Sequence, residues 1–231
     1  MREIEQNIEF INQKIQNKCN AIGRNFSEIT LVAVSKLHSV DEIKSAELKG
    51  ILNFGENKAQ ELEEKNNLIN SKINWHFIGH LQTNKVKVVV PISELIHSVD
   101  SIKLIDEINK RAENINKIQK ILLEVKTSNE ATKYGIEDFE ELNKIVEYCK
   151  RLPNIKLLGL MTIAPYTENE EIIRNSFKKL AELKNKLIEN GFELPHLSMG
   201  MTSDFEIAIE EGATILRIGT AIFGERNYSI K

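Results

Sequence analysis

Lys36 closes the apolar, strand-forming run Thr30-Leu31-Val32-Ala33-Val34-Ser35 and is followed at once by a helix start signal. An amine at the end of a buried strand is costly to keep charged, so its pKa is pushed down and the neutral amine becomes a nucleophile. A lysine that has simply reached the surface explains the same residue, because lysines are mostly exposed. Other polar residues follow other apolar runs: Asn57, His80, Thr127, Ser128, Thr162, Ser198 and Thr220, with Arg217 one step inside the last run. The stretches Ser198-Met199-Gly200-Met201-Thr202 and Gly219-Thr220 offer hydroxyls and backbone N–H groups beside a helix expected to start near Ser203, the elements of an anion site. Loops also collect glycine, serine and threonine for turn reasons alone. A phosphate there and an amine at Lys36 would suit a phosphorylated aldehyde held as a Schiff base.

Positioning these residues requires a regular scaffold. Ile4, Ile8, Ile11, Ile15, Cys19 and Ile22 recur at spacings of three and four and predict an N-terminal helix over residues 2 to 22, stopped by Gly23. After the Lys36 strand, Ser39-Val40-Asp41-Glu42 has the form of a capping box, and its helix runs to Gly50. Further strands are expected at 51–54, 74–78, 94–99, 121–125, 157–161, 196–199 and 214–218. Helical segments separate them at 58–69, 82–89, 101–116 and 137–151, then from the Thr167-Glu168-Asn169-Glu170 cap to Gly191 and from the Ser203-Asp204-Phe205-Glu206 capping box to Gly212. Residues 127–135 and 162–167 read as loops.

Eight strands alternating with helices imply right-handed crossovers and a single (β/α)8 barrel over residues 1–231, with an extra helix at its N-terminus. A doubly wound sheet competes less well, since no GxGxxG follows the first strand. In such a barrel Gly23, Gly50, Gly191 and Gly212 close helices, whereas Gly55, Gly79, Gly200 and Gly219 follow strands at the face where active sites sit.

A net charge of −3 without long like-charge blocks indicates neither a nucleic-acid partner nor a membrane surface. No apolar run approaches the ~18 residues of a membrane span, and the polar opening does not resemble a secretion signal, so a cytoplasmic location is expected. Cys19 and Cys149 lack a CxxC partner and read as free structural thiols. His76 and His80 are four apart on a strand and turn, where that spacing does not gather metal ligands, and no metal is expected. Ser35 and Lys36 are adjacent strand residues facing opposite ways, which excludes a serine–lysine pair.

Six ordered motifs then carry a resemblance: Val32-Ala33-Val34-Ser35-Lys36, Phe54-Gly55-Glu56-Asn57, the run from Trp75 to Lys85, Gly159-Leu160-Met161, the run from Leu197 to Asp204 and the run from Arg217 to Gly224. Nearly end to end, the chain resembles the pyridoxal 5'-phosphate homeostasis proteins, also called the alanine racemase N-terminal-domain-like or proline-synthetase-co-transcribed family. The resemblance implies that Lys36 holds pyridoxal phosphate as a Schiff base. It implies Asn57 near the ring, Ser198, Gly200, Gly219 and Thr220 around the phosphate, and Arg217 facing the pyridine nitrogen. Lys126 departs from the asparagine common in the family, whereas Lys133-Tyr134-Gly135 follows its pattern.

The implied role is in vitamin B6 and amino-acid homeostasis, without robust catalysis and with apoenzymes as acceptors of the cofactor, in a monomer or weak homodimer. An amino-acid racemase is the alternative. It needs a second base, which the racemases draw from a further C-terminal domain; that domain is expected to be missing here, and neither His80 nor Tyr166 is recommended by its spacing.

Overall fold

The computed structural model describes residues 2–128 and 134–225. Strands Thr30–Val34 (β1), Asn53–Glu56 (β2), Asn74–Phe77 (β3), Ser93–Val99 (β4), Gln119–Glu124 (β5), Ile155–Met161 (β6), His196–Ser198 (β7) and Ile215–Ile218 (β8) pair in parallel in chain order, and β8 closes on β1. This is the expected (β/α)8 barrel. Its helices are Arg2–Ala21 (α1), Val40–Leu48 (α2), Ala59–Leu68 (α3), Val86–Ile92 (α4), Ile102–Glu113 (α5), Phe139–Cys149 (α6), Glu170–Glu189 (α7), Phe205–Glu210 (α8) and Thr220–Phe223 (α9). The additional helix α1 buries Ile4, Ile8, Ile11, Ile15 and Cys19 and lies against α2, α8 and α9.

Most differences from the sequence expectation are shifts at element ends, and each has a local cause. The expected strand at 51–54 is observed two residues later. The N–H of Ile51 is taken by the carbonyl of Ala46, closing α2 over Gly50 at φ +87°, so the ladder starts only at Asn53. Gly55 and Glu56 therefore lie within a strand rather than after it. The capping box at Ser39 forms as expected. The one at Ser203 does not: Asp204 is buried, and its carboxylate accepts the N–H of Met201 at 2.5 Å instead of capping α8. α7 is capped by Asn169, whose Oδ1 accepts from Glu171 and Ile172, while the Thr167 hydroxyl, two residues earlier, accepts the Asn169 N–H.

The barrel interior has two chemically different levels. Val32, Leu95, Leu122, Met161 and Ile215 form a small apolar cluster separate from the larger core beneath the helices. Two residues further along β4, β5 and β8, on the same faces, stand His97, Glu124 and Arg217. The C-terminal level of the interior is thus polar and charged, and it opens toward the strand ends.

Candidate functional site

β1 ends at Val34, and Lys36 follows in a tight turn, half-buried. Ser35 still donates its N–H to Gly55, and His38 bonds back to the Ser35 carbonyl at 3.0 Å. Between them Leu37 has φ +65°, a left-handed conformation that a branched side chain seldom adopts. A buried ion-pair cluster from β2 and α3 holds that turn. Lys65 Nζ donates to the Ser35 carbonyl at 2.6 Å and to Glu56 and Glu61 at 2.7 Å each. Ser35 Oγ donates to Glu56 at 2.6 Å, and Glu61 accepts the Leu37 N–H at 2.5 Å. Burial pushes the Glu56 carboxyl pKa up, against the pull of Lys65 and Ser35. Residues 35 and 37, on either side of Lys36, are thereby anchored to one carboxylate–ammonium cluster.

The adjoining wall comes from β7 and β8, on the other side of β1 from β2. Gly200 has φ +94°, and an added Cβ would lie 2.6 Å from the Ala208 methyl, so only glycine lets this loop pass α8. Its carbonyl accepts the Arg217 N–H, and the Thr202 hydroxyl accepts the Ala221 N–H at 3.4 Å, joining the two loops. Gly219 is half-buried, with its Cβ direction 3.3 Å from the carbonyl of Val34, and Thr220 is exposed beside it. The β8 end therefore lies directly beside the turn that carries Lys36. Half-buried Asn57 follows β2, and its backbone carbonyl is 2.2 Å from where a Cβ on Gly79 would stand.

Arg217 rises from the floor between these walls, 4% exposed. Its guanidinium donates to Ser198 Oγ at 2.6 Å and to the Thr162 carbonyl at 2.9 Å. Among the described residues no carboxylate forms an ion pair with it. Burial lowers its pKa to about 10, opposed by the more distant charges of Glu124 and Asp204, so it stays cationic at neutral pH. Glu124, nearly buried, is pushed up to about 7 by desolvation, against the pull of Arg217. Ser198, fully buried, bonds to His97 Nδ1 at 2.8 Å; His97 Nε2 meets His76 Nδ1 at 2.8 Å, and His76 Nε2 meets Asn53 Oδ1 at 3.2 Å.

The sequence of this barrel matches the family model described as alanine racemase, N-terminal domain, over residues 11–227. A pyridoxal phosphate homeostasis protein of Aquifex aeolicus is 48% identical, covering 94% of this chain and 95% of its own length. The chain belongs to this family. The family's counterpart in Vibrio cholerae is 40% identical over 99% of both chains. Among solved structures, PipY of Synechococcus elongatus, a COG0325 family member with PLP bound, superimposes with a TM-score of 0.81 at 31% identity, covering 91% of this chain and all of PipY.

The barrel brings the residues expected from the sequence, Lys36, Asn57, Gly200, Arg217, Gly219 and Thr220, to one end, where the loops meet. Ser198 is there too, but its hydroxyl is turned down to Arg217 and His97, so the groups its loop can offer outward are backbone N–H groups and the Thr202 hydroxyl. His76 pairs with His97 rather than with His80, which instead stacks on Tyr134 at 3.7 Å and lies 3.8 Å from Asp100. Tyr166 is fully exposed. Lys126 reaches Glu137 at 2.5 Å, and Lys133 lies outside the described residues.

Lys65 and His97 carry no signal in the sequence that places them at the site, and Glu56 appears there only as part of the Phe54-Gly55-Glu56-Asn57 motif. Glu61 and Lys65 are four apart on α3, an arrangement that signals an ion pair but not its burial. His97 alternates with Leu95 in an apolar strand, a sign that it faces inward.

Proposed function

We propose that this chain binds pyridoxal 5'-phosphate and serves intracellular vitamin B6 homeostasis, holding the cofactor as a Schiff base on Lys36 and yielding it to apoenzymes. The observation that carries the reading is the buried Arg217 guanidinium, without an ion pair among the described residues, at the same barrel end as the Lys36 amine. The donor set fits the cofactor: an amine for its aldehyde, a fixed cation for its ring nitrogen, and backbone N–H groups of Gly200, Gly219 and Thr220 with the Thr202 hydroxyl for its phosphate. Bound pyridoxal phosphate supplies the electrophilic carbon and an electron-withdrawing ring. Asn57, whose backbone packs closely against Gly79, would help to hold the ring.

Arg217 supports a carrier rather than an efficient racemase. A permanent cation facing the ring nitrogen opposes its protonation, and the ring then stabilises negative charge on a substrate poorly. Racemisation also needs a second base, and the two nearest in kind do not present themselves: His80 is engaged with Tyr134 and Asp100, and Tyr166 projects into solvent. We place the protein in the cytoplasm as a monomer or weak homodimer; no helix among the described residues is long and apolar enough to cross a membrane.

Mixing the purified chain with pyridoxal phosphate should produce a Schiff-base absorption band that Lys36→Ala lacks, and a variant that keeps the band sinks the assignment. Incubation of the loaded protein with single amino acids, alanine included, should leave their handedness unchanged. Clear turnover of any of them would favour the racemase.

A further inference from the structure

Beneath the mouth, the contacts from Arg217 through Ser198, His97 and His76 to Asn53 form one continuous buried chain across the barrel, ending where exposed Asn74 donates to Asn53 Oδ1 at 3.1 Å. Its polarity is set at the Asn53 end, and the Arg217 end is compatible with it. Arg217 has only donors, so Ser198 Oγ must accept from it. Asn53 Oδ1 already accepts from Asn74 and can only accept again, so His76 carries its hydrogen on Nε2. A neutral His76 then offers a bare Nδ1, which takes the Nε2 hydrogen of His97. His97 in turn offers a bare Nδ1, which takes the single hydrogen of Ser198. Four links join Arg217 to Asn53, and four hydrogens fill them. A proton added to either imidazole would make five hydrogens for four links, setting donor against donor in a buried site.

We propose that this chain is a one-directional hydrogen-bond relay that aims the Arg217 guanidinium at the barrel mouth, making His97 and His76 positioning residues of the cofactor site. The inference rests on the reading that Arg217 faces a bound pyridoxal phosphate. His97 is fully buried and His76 nearly so, which gives each little freedom to turn. Their surroundings keep them neutral. Burial lowers both pKa values, that of His76 to about 4, with His196 adding to the effect at each. Arg217 adds to it at His97 and Lys120 at His76, and Glu94 alone opposes it at His76. The second guanidinium contact runs to the Thr162 carbonyl, so Arg217 is held at two points and loses one of them when Ser198 is no longer held from below.

The shape of histidine allows the relay to be cut selectively. Asparagine at position 97 presents its oxygen near the place of Nδ1 and can still accept from Ser198, whereas leucine cannot. Titration with pyridoxal phosphate, followed by the Schiff-base band, should show His97→Leu binding about tenfold or more weakly and His97→Asn within about threefold of wild type, with both variants folded by circular dichroism. Equal affinity in all three proteins, or equal loss in both variants in step with their melting temperatures, would reduce the chain to core packing and overturn the proposal. Nitrogen-15 spectra of the cofactor-free protein give a second readout. The signals lost in His97→Asn and His76→Asn should each belong to an Nε2–H tautomer that remains neutral down to about pH 5, below the ordinary histidine value. An Nδ1–H tautomer, or titration near pH 6.5, overturns the relay even where binding is normal. A wild-type protein with no Schiff-base band removes the cofactor reading and the positioning role with it, an outcome distinct from a wild type that binds beside a His97→Leu that binds equally.

Discussion

Replacing Lys65 by methionine removes the ammonium from the cluster that anchors the Lys36 turn while keeping most of the side-chain volume. Three bonds of 2.6–2.7 Å disappear. Glu56, 0% exposed and with its second oxygen already without a partner, is left as an uncompensated buried carboxylate. Breaking a buried pair in this way costs about 3–5 kcal/mol. For a chain of this size, each kcal/mol lowers the melting temperature by about 2–4 °C, so a fall of roughly 6–20 °C is expected at pH 8. The deficit should depend on pH with a definite sign. The Glu56 pKa is already raised in the folded state, and without Lys65 the largest opposing influence is gone, so it rises further. The native state then retains a proton that the unfolded carboxylate has released, and stability falls as pH rises from the unfolded value near 4.3 toward the folded one. Urea unfolding at several pH values should therefore show a deficit that is small near pH 5 and full at pH 8, with Glu56→Gln on the same background restoring most of it. A Lys65→Met protein within about 1 kcal/mol of wild type at pH 8, or one whose deficit is flat with pH, would refute the assignment of Glu56 and Lys65 as a coupled buried pair.

Gly79→Ala forces a methyl group against the Asn57 backbone; overpacking of this kind costs about 1–3 kcal/mol, and calorimetry should show it together with weaker binding of pyridoxal phosphate, because Asn57 must move. Normal binding by a destabilised Gly79→Ala would remove Asn57 from the site. Glu124→Gln tests the raised carboxyl at the polar level of the barrel. With a folded pKa near 7 against an ordinary value near 4.3, wild type loses stability across that window, so the variant should gain on it by about 3 kcal/mol between pH 4.5 and pH 8. Parallel pH curves for the two proteins would show that Glu124 is not the group responsible.

The sequence alone determined the alternation of strands and helices, the parallel closure and the candidate residues at one end. These depend on local signals: apolar, strand-forming runs, a period near 3.6 in the helices, caps such as Ser39, and glycines at helix ends. At Ile51, drawn back into the end of α2, and at Asp204, turned toward Met201, one local signal prevails over another. The tertiary structure alone decided how the candidates are held. Ser35, Glu56, Glu61 and Lys65 come from a turn, a strand and a helix, and only closure of the first two βα units brings them around Lys36. His76, His97, Ser198 and Arg217 lie on four different strands, as much as 141 residues apart in the chain, and meet because inward-facing residues of a closed barrel share one narrow interior. Periodicity names the face of a strand on which a side chain stands. Which side chains it meets across the barrel depends on register and closure, and these long-range properties decided that the Ser198 hydroxyl points down to Arg217 rather than out to the mouth.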